Sequence, residues 1–237
     1  MPGGAAARRT WRCEVRPLGP RGKKPGRAAV GRSLVSLHNP ASAAAEQIRS
    51  IRNNIRYANG GRDPATVAVT SAGAGEGKTT AAVNLAVALA GRGRVLLVDA
   101  NLRQPALHAI FGLRMGPGLT NVLAGQICLH EAAVQTELAR LDLLTGGPLL
   151  PGSLEQLDSE DMKLLLTAAA AVYDTIVLDC PAVLENPDTA ALAGKCEGAV
   201  LIVRHGRTRK DTALEAKRVL EFAGARIIGA VLNRKSG

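Results

Sequence analysis

Six short runs along this chain, at 66–70, 94–99, 141–145, 175–179, 199–203 and 226–232, carry Val, Leu, Ile, Ala or Thr at most of their positions. A strand with one wet face alternates apolar and polar residues. A strand that is apolar throughout is covered on both faces, as in a parallel sheet. Between most of these runs lie stretches at helical spacing, at 79–90, 159–172 and 211–223. An alanine-rich segment at 41–58 predicts a further helix ahead of the first strand, with Ser42 or Pro40 near its start and Gly60-Gly61 closing it. The alternation predicts an α/β fold: a doubly wound, mostly parallel sheet with helices on both sides. The pattern shows no internal repeat and no second domain.

One turn in this pattern carries chemistry. Residues 67–80 read Val-Ala-Val-Thr-Ser-Ala-Gly-Ala-Gly-Glu-Gly-Lys-Thr-Thr, a strand, a glycine-rich turn and the start of a helix. Glycine lets the main chain approach a ligand with no Cβ in the way, so the N–H groups of Gly73, Ala74, Gly75, Glu76 and Gly77 converge on phosphate oxygens. The helix that opens with Lys78, Thr79 and Thr80 adds the partial positive charge of its N-terminus. Lys78 is placed to reach the β- and γ-phosphates and the Thr79 hydroxyl to ligate Mg²⁺. This is the P-loop pattern of nucleotide-binding proteins, with Ala72 where the strict form has Gly. The cofactors it implies are ATP or ADP with Mg²⁺.

Two of the apolar runs end on an aspartate, Asp99 and Asp179. Ligands of open α/β sheets sit beyond the carboxyl ends of the strands, so both carboxylates are expected near the phosphates. Asp179, in Asp-Cys-Pro, is the candidate to hold Mg²⁺ through water, and Asp99 to take a proton or hold a second water. Lys78, Asp99 and Asp179 are thus the candidate catalytic residues, and Thr79, Asp99 and Asp179 the candidate metal site.

Charge changes the picture only once it is located. Residues 1–37 carry nine arginines and lysines against Glu14 alone, a net +8 of the whole chain's +10. The basicity therefore belongs to a Gly-, Pro- and Ala-rich tail over 1–37, expected to be disordered, and the domain at 38–237 is nearly neutral. Aromatic residues make up only 2% of the chain, too few for single-stranded nucleic acid to be recognised by stacking. Nucleic acid is not an expected partner. Cys13, Cys128, Cys180 and Cys196 form no C-x-x-C pair, which points to reduced thiols and a cytoplasmic protein. The most apolar run, 164–172, is about half a membrane span.

Beyond the nucleotide loop the chain resembles the bacterial tyrosine kinases that control capsule and exopolysaccharide synthesis. Their second acidic motif is matched by Leu96-Leu-Val-Asp99-Ala-Asn101-Leu-Arg103-Gln-Pro105, and their Walker B motif by the strand ending at Asp179. Glu46-x-x-Arg49-x-x-Arg52 is similar to the family's oligomerisation motif, and the segments at 34–42, 200–208 and 228–233 resemble its lead-in and last two strands. The similarity covers about 34–234. It implies transfer of a phosphoryl group from Mg-ATP to protein tyrosine, a ring of subunits docked through Glu46, Arg49 and Arg52, and a contact from Asn233 to the adenine. It also implies a protein substrate, a separate transmembrane activator of the polysaccharide co-polymerase type, and recruitment from the cytoplasm to the inner face of the membrane.

Two departures bear on activity. The family's second aspartate in the A′ motif is Asn101 here, which keeps an oxygen but loses a charge near Mg²⁺. The family's C-terminal tyrosine cluster has no counterpart, since Tyr57 and Tyr173 are the only tyrosines. Self-phosphorylation is accordingly expected to be weak, and an ATP-binding scaffold of polysaccharide assembly stands as the alternative. A partition or division-site ATPase is the third reading; its P-loop carries an extra lysine where this chain has Gly73.

Overall fold

The computed structural model describes residues 42–233. The basic tail at 1–37, the lead-in at 34–41 and the last four residues lie outside them. The first helix, α1 (Ala43–Ala58), starts where Ser42 accepts the Ala45 N–H at 3.2 Å and ends before two glycines with positive φ, Gly60 and Gly61. Then follow β1 (Thr66–Ser71), α2 (Lys78–Ala90) and β2 (Val95–Asp99). Three single-turn helices, α3 (Leu107–Ile110), α4 (Leu119–Leu123) and α5 (Leu129–Ala132), lead to β3 (Val134–Gln135) and β4 (Leu141–Leu144). The chain continues through α6 (Ser153–Gln156), α7 (Glu160–Ala170), β5 (Thr175–Asp179), α8 (Pro187–Gly194), β6 (Gly198–Arg204), α9 (Lys210–Phe222) and β7 (Ile227–Asn233).

The seven strands lie in the order β3-β4-β2-β5-β1-β6-β7, and every neighbouring pair is parallel except β3 with β4. The all-apolar strands are sandwiched as their composition requires. Val67, Val69, Leu97, Val177 and Ile202 point into a layer shared with α1, α2 and Phe111. Ala68, Leu96, Val98, Leu178 and Leu201 point the other way, into a layer built with α4, α7, α8 and α9. Six of the expected strands and four of the expected helices are present, displaced by at most a few residues. The two-residue β3 and the short helices α3, α4, α5, α6 and α8 are additions.

The topology decides where chemistry happens. The chain leaves β1, passes over the slot that β5 later fills, and returns as β2, so β5 lies between them. In this register Asp179 pairs with Val69 on one side and with Asp99 on the other. Two acidic strand ends and the turn after β1 therefore meet at one edge, the switch point where open α/β sheets bind ligands.

Away from that edge, Tyr173 is buried and its hydroxyl donates to Asp142 Oδ2 at 2.9 Å, with the Arg94 guanidinium 5.2 Å over its ring. It is a structural tyrosine. Among the described residues, Cys180 and Cys196 are free and buried. No helix among the described residues is long and apolar enough to cross a membrane.

Candidate functional site

The turn between β1 and α2 is held open from several sides. Gly77 caps α2 at φ +96°, and a Cβ there would collide with the Asn233 side-chain amide. That amide donates from Nδ2 to the Glu76 carbonyl at 2.9 Å, which ties the end of β7 to the loop. From the end of β6, Arg204 Nη1 donates to the Gly75 carbonyl at 2.7 Å. Just beyond it, the Thr208 hydroxyl donates to the buried Glu76 Oε1 at 2.6 Å. Ser71 Oγ and Lys78 Nζ both donate to the Gly73 carbonyl, at 2.7 and 3.3 Å. These contacts hold the carbonyls of Gly73, Gly75 and Glu76, and a glycine-rich loop whose N–H groups converge in this way binds anions.

That side is a cavity of about 640 Å³, lined among others by Lys78, Thr79, Asn101, Arg103, Pro181 and Glu185. A second cavity, about 930 Å³, lies between α1, α2 and β7 and shares Gly77 and Thr80 with the first. Asn233 lines only the second.

The two aspartates lie buried beneath, and their surroundings differ. Asp99 Oδ2 accepts the N–H groups of Ala106 and Leu107, each at 2.9 Å, and Oδ1 accepts that of Asn101 at 3.2 Å. The carboxylate thus shapes the loop that brings Asn101 and Arg103 to the cavity and starts α3. Burial pushes it up to about 6 against the pull of those three amides. Asp179 is 1% exposed and neither of its oxygens has a hydrogen-bond partner in the protein. Burial pushes it up to about 7 and Asp99 adds to the rise; the Thr79 hydroxyl, near the carboxylate but outside hydrogen-bonding geometry, and the Lys78 ammonium pull the other way. Lys78 is lowered by burial, against the carboxylates of Asp179, Glu185 and Glu76.

An unsatisfied buried carboxylate is expensive, and native structures keep one where a ligand completes it. Asp179 beside a threonine hydroxyl fits Mg²⁺, an oxygen-seeking cation that keeps several waters and is shared with nucleotide phosphates. No group of three or more His, Cys, Asp or Glu side chains that could hold a metal unaided occurs among the described residues.

Comparison with known proteins follows the same line. A family model described as an AAA domain matches residues 65–205. The tyrosine-protein kinase YwqD of Bacillus subtilis is 40% identical over 205 residues, covering 86% of each chain. The chain belongs to the bacterial tyrosine-protein kinase family. The solved kinase domain of the Escherichia coli tyrosine kinase ETK superposes with a TM-score of 0.80 at 28% identity, over 95% of this chain and 86% of that one. Full-length Etk is far longer, and the match spans 28% of it. More distant is the septum site-determining protein MinD of Pyrococcus horikoshii, solved with Mg-ADP, at TM-score 0.61 and 28% identity over 71% of this chain and 69% of that one. The family's P-loop fold is a nucleotide- and magnesium-binding one.

On this family framework the oligomerisation candidates sit on α1. Glu46 and Arg49 form an exposed ion pair at 3.0 Å. Arg52 instead turns inward within its own subunit, donating from Nη1 to the Ala88 carbonyl at 3.2 Å. The sequence pattern gave no role to Glu185, Arg204 or Thr208. Arg204 ends β6, and Thr208 and Glu185 lie a few residues past the ends of β6 and β5, so a search for polar side chains at and just beyond strand ends would have found them.

Because the folded state raises Asp179, it holds a proton between the ordinary carboxylate range near 3.8 and about 7, where the unfolded chain has lost it. Stability of the metal-free protein therefore falls as pH rises through that window. Asp179→Asn should flatten this fall and make the variant more stable than wild type at pH 8, as read by urea denaturation across pH; an unchanged pH profile would count against a strained Asp179 carboxylate.

Proposed function

We propose that the chain is an ATP-dependent protein-tyrosine kinase serving capsule or exopolysaccharide synthesis. It rests above all on the buried, unpartnered Asp179 carboxylate next to Thr79 and Lys78 at the root of the phosphate loop. In this reading the N–H groups from Gly73 to Thr80 cradle the phosphates, and Lys78 offsets charge on the β- and γ-phosphates. The base extends toward the cavity beside Asn233. Mg²⁺, held by Thr79 and through water by Asp179, supplies charge neutralisation on the transferring group.

The acceptor is a phenol hydroxyl on another protein. Its oxygen bonds to the terminal phosphorus, the bond from that phosphorus to the bridging oxygen breaks, and ADP leaves. The phenol proton passes through water to Asp99 Oδ1, which carries one amide contact against two on Oδ2. Buried as it is, Asp99 otherwise acts through the loop it shapes. Among the chain's own tyrosines Tyr173 is 4% exposed and closed to phosphorylation, while Tyr57 is 76% exposed.

The remaining assignments come from family membership: a ring docked through Glu46, Arg49 and Arg52, a membrane-embedded activator on a separate chain, and recruitment to the cytoplasmic face of the membrane. Asn101 at the cavity wall favours one other reading, an ATP-binding scaffold with little phosphotransfer.

Lys78→Met should weaken Mg-ADP binding at least tenfold, about 1.4 kcal/mol, in calorimetry. Incubation with Mg-ATP, activator and a tyrosine-bearing acceptor should give phosphotyrosine by mass spectrometry, faster in Asn101→Asp. Its absence from wild type and Asn101→Asp alike would leave the scaffold. Self-association is checked by light scattering: wild type should form an assembly larger than a dimer, and the Glu46→Ala, Arg49→Ala, Arg52→Ala triple variant should be a folded monomer. A wild type that stays monomeric with and without activator would remove the ring.

A further inference from the structure

The phosphate loop already has an anion on it. Glu185 Oε1 accepts the main-chain N–H of Ala74 at 2.7 Å, so one of the loop's own donors is held by a carboxylate of this chain. The same oxygen lies 3.7 Å from where a Cβ on Gly73 would stand, and Glu185 acts on Lys78 strongly enough to oppose the lowering of its ammonium by burial. It lines the phosphate cavity together with Lys78, Thr79, Asn101 and Arg103.

The loop that carries Glu185 is pinned. Val183 N–H donates to the Ser71 carbonyl at 2.9 Å, fixing the segment after β5 to the end of β1. The N–H groups of Glu185 and Asn186 both return to the Ala182 carbonyl, at 3.2 and 3.1 Å. Thr70 Oγ1 donates to the Pro181 carbonyl at 2.6 Å, one residue before that turn. The side chain therefore starts from an ordered turn only six residues past Asp179.

Its place along the loop says which phosphate it meets. The N-terminus of α2, with Gly77, Lys78 and Thr79, holds the inner phosphate, where the helix dipole is focused. Gly73 and Ala74 are the outer limb of the loop, and Lys78, which spans the β- and γ-phosphates, rests its ammonium on the Gly73 carbonyl. A carboxylate on the Ala74 N–H faces the terminal phosphate of a triphosphate and has nothing to face in a diphosphate.

We propose that Glu185 sets the preference of this site between nucleoside triphosphate and diphosphate, by holding the Ala74 N–H and opposing the γ-phosphate with its charge. This rests on the nucleotide-binding reading above. Two physical effects act in the same direction. Like charges repel even across the open cleft where Glu185 and Ala74 meet, which lowers triphosphate affinity. The N–H held by Glu185 is also one the γ-phosphate has to win back. Displacement of the carboxylate then accompanies triphosphate entry, and its return to Ala74 accompanies loss of the γ-phosphate.

The test is calorimetry with Mg-ADP and with the Mg complex of a non-hydrolysable β,γ-methylene ATP analogue, on wild type, Glu185→Gln and Glu185→Ala. Glu185→Gln keeps an acceptor for Ala74 and removes the charge. The ratio of analogue affinity to ADP affinity should rise about fivefold, roughly 1 kcal/mol. In Glu185→Ala, where the N–H is also released, it should rise further. ADP affinity should change less than analogue affinity in both. An unchanged ratio, or equal changes for both nucleotides, would overturn the proposal while leaving nucleotide binding intact. A wild type that binds neither nucleotide would refute the nucleotide reading and the proposal with it.

Discussion

Two carboxylates are buried side by side where β2 and β5 end, paired across one rung of the sheet. Each disfavours the charge of the other, and burial alone raises a carboxyl by several units when nothing compensates. The protein compensates one of them. Asp99 collects three main-chain N–H groups, and hydrogen bonds to a charged group contribute about 1.5–3 kcal/mol each. Asp179 collects none from the protein and keeps only the nearby Lys78 and Thr79. The pairing of the strands, the wide passage from β1 to β2 and the position of the glycine loop all follow from bringing these groups to one edge. A bound cation with its nucleotide relieves what the protein leaves unsatisfied.

The ends of the outer strands serve the same edge. Arg204 from β6 and Asn233 from β7 take hold of loop carbonyls at Gly75 and Glu76, so the phosphate loop and the far side of the sheet move together. Asn233 also borders the cavity between α1 and β7, and α1 carries the charged face assigned to subunit docking. In the proposed reading, a base entering that cavity would touch both the residue that fixes the loop and the helix proposed to dock subunits.

Much of this was legible in the sequence because the strands are apolar on both faces, and only a sheet covered on both sides explains β1, β2, β5 and β6 together. The placement of Lys78, Thr79 and Asp179 at one edge was legible because it depends on local spacing and on strand ends. The single-turn helices were not: their few residues are set by tertiary contact, as when the Leu119 N–H at the start of α4 donates to the Thr145 carbonyl. Neither was the work of Asp99, which depends on amides up to eight residues away that only the folded loop returns to it. Glu185 had no motif to announce it, and its meaning comes from a main-chain contact made 111 residues away.

The account stands or falls on what completes Asp179. A crystal structure of the protein grown with Mg-ADP tests this directly. The account predicts phosphates against the N–H groups of the 73–80 loop, a cation about 2.1 Å from Thr79 Oγ1, and a cation-bound water hydrogen-bonded to Asp179. A nucleotide bound elsewhere, or a loop-bound nucleotide whose cation leaves both Asp179 oxygens without a partner, would contradict it.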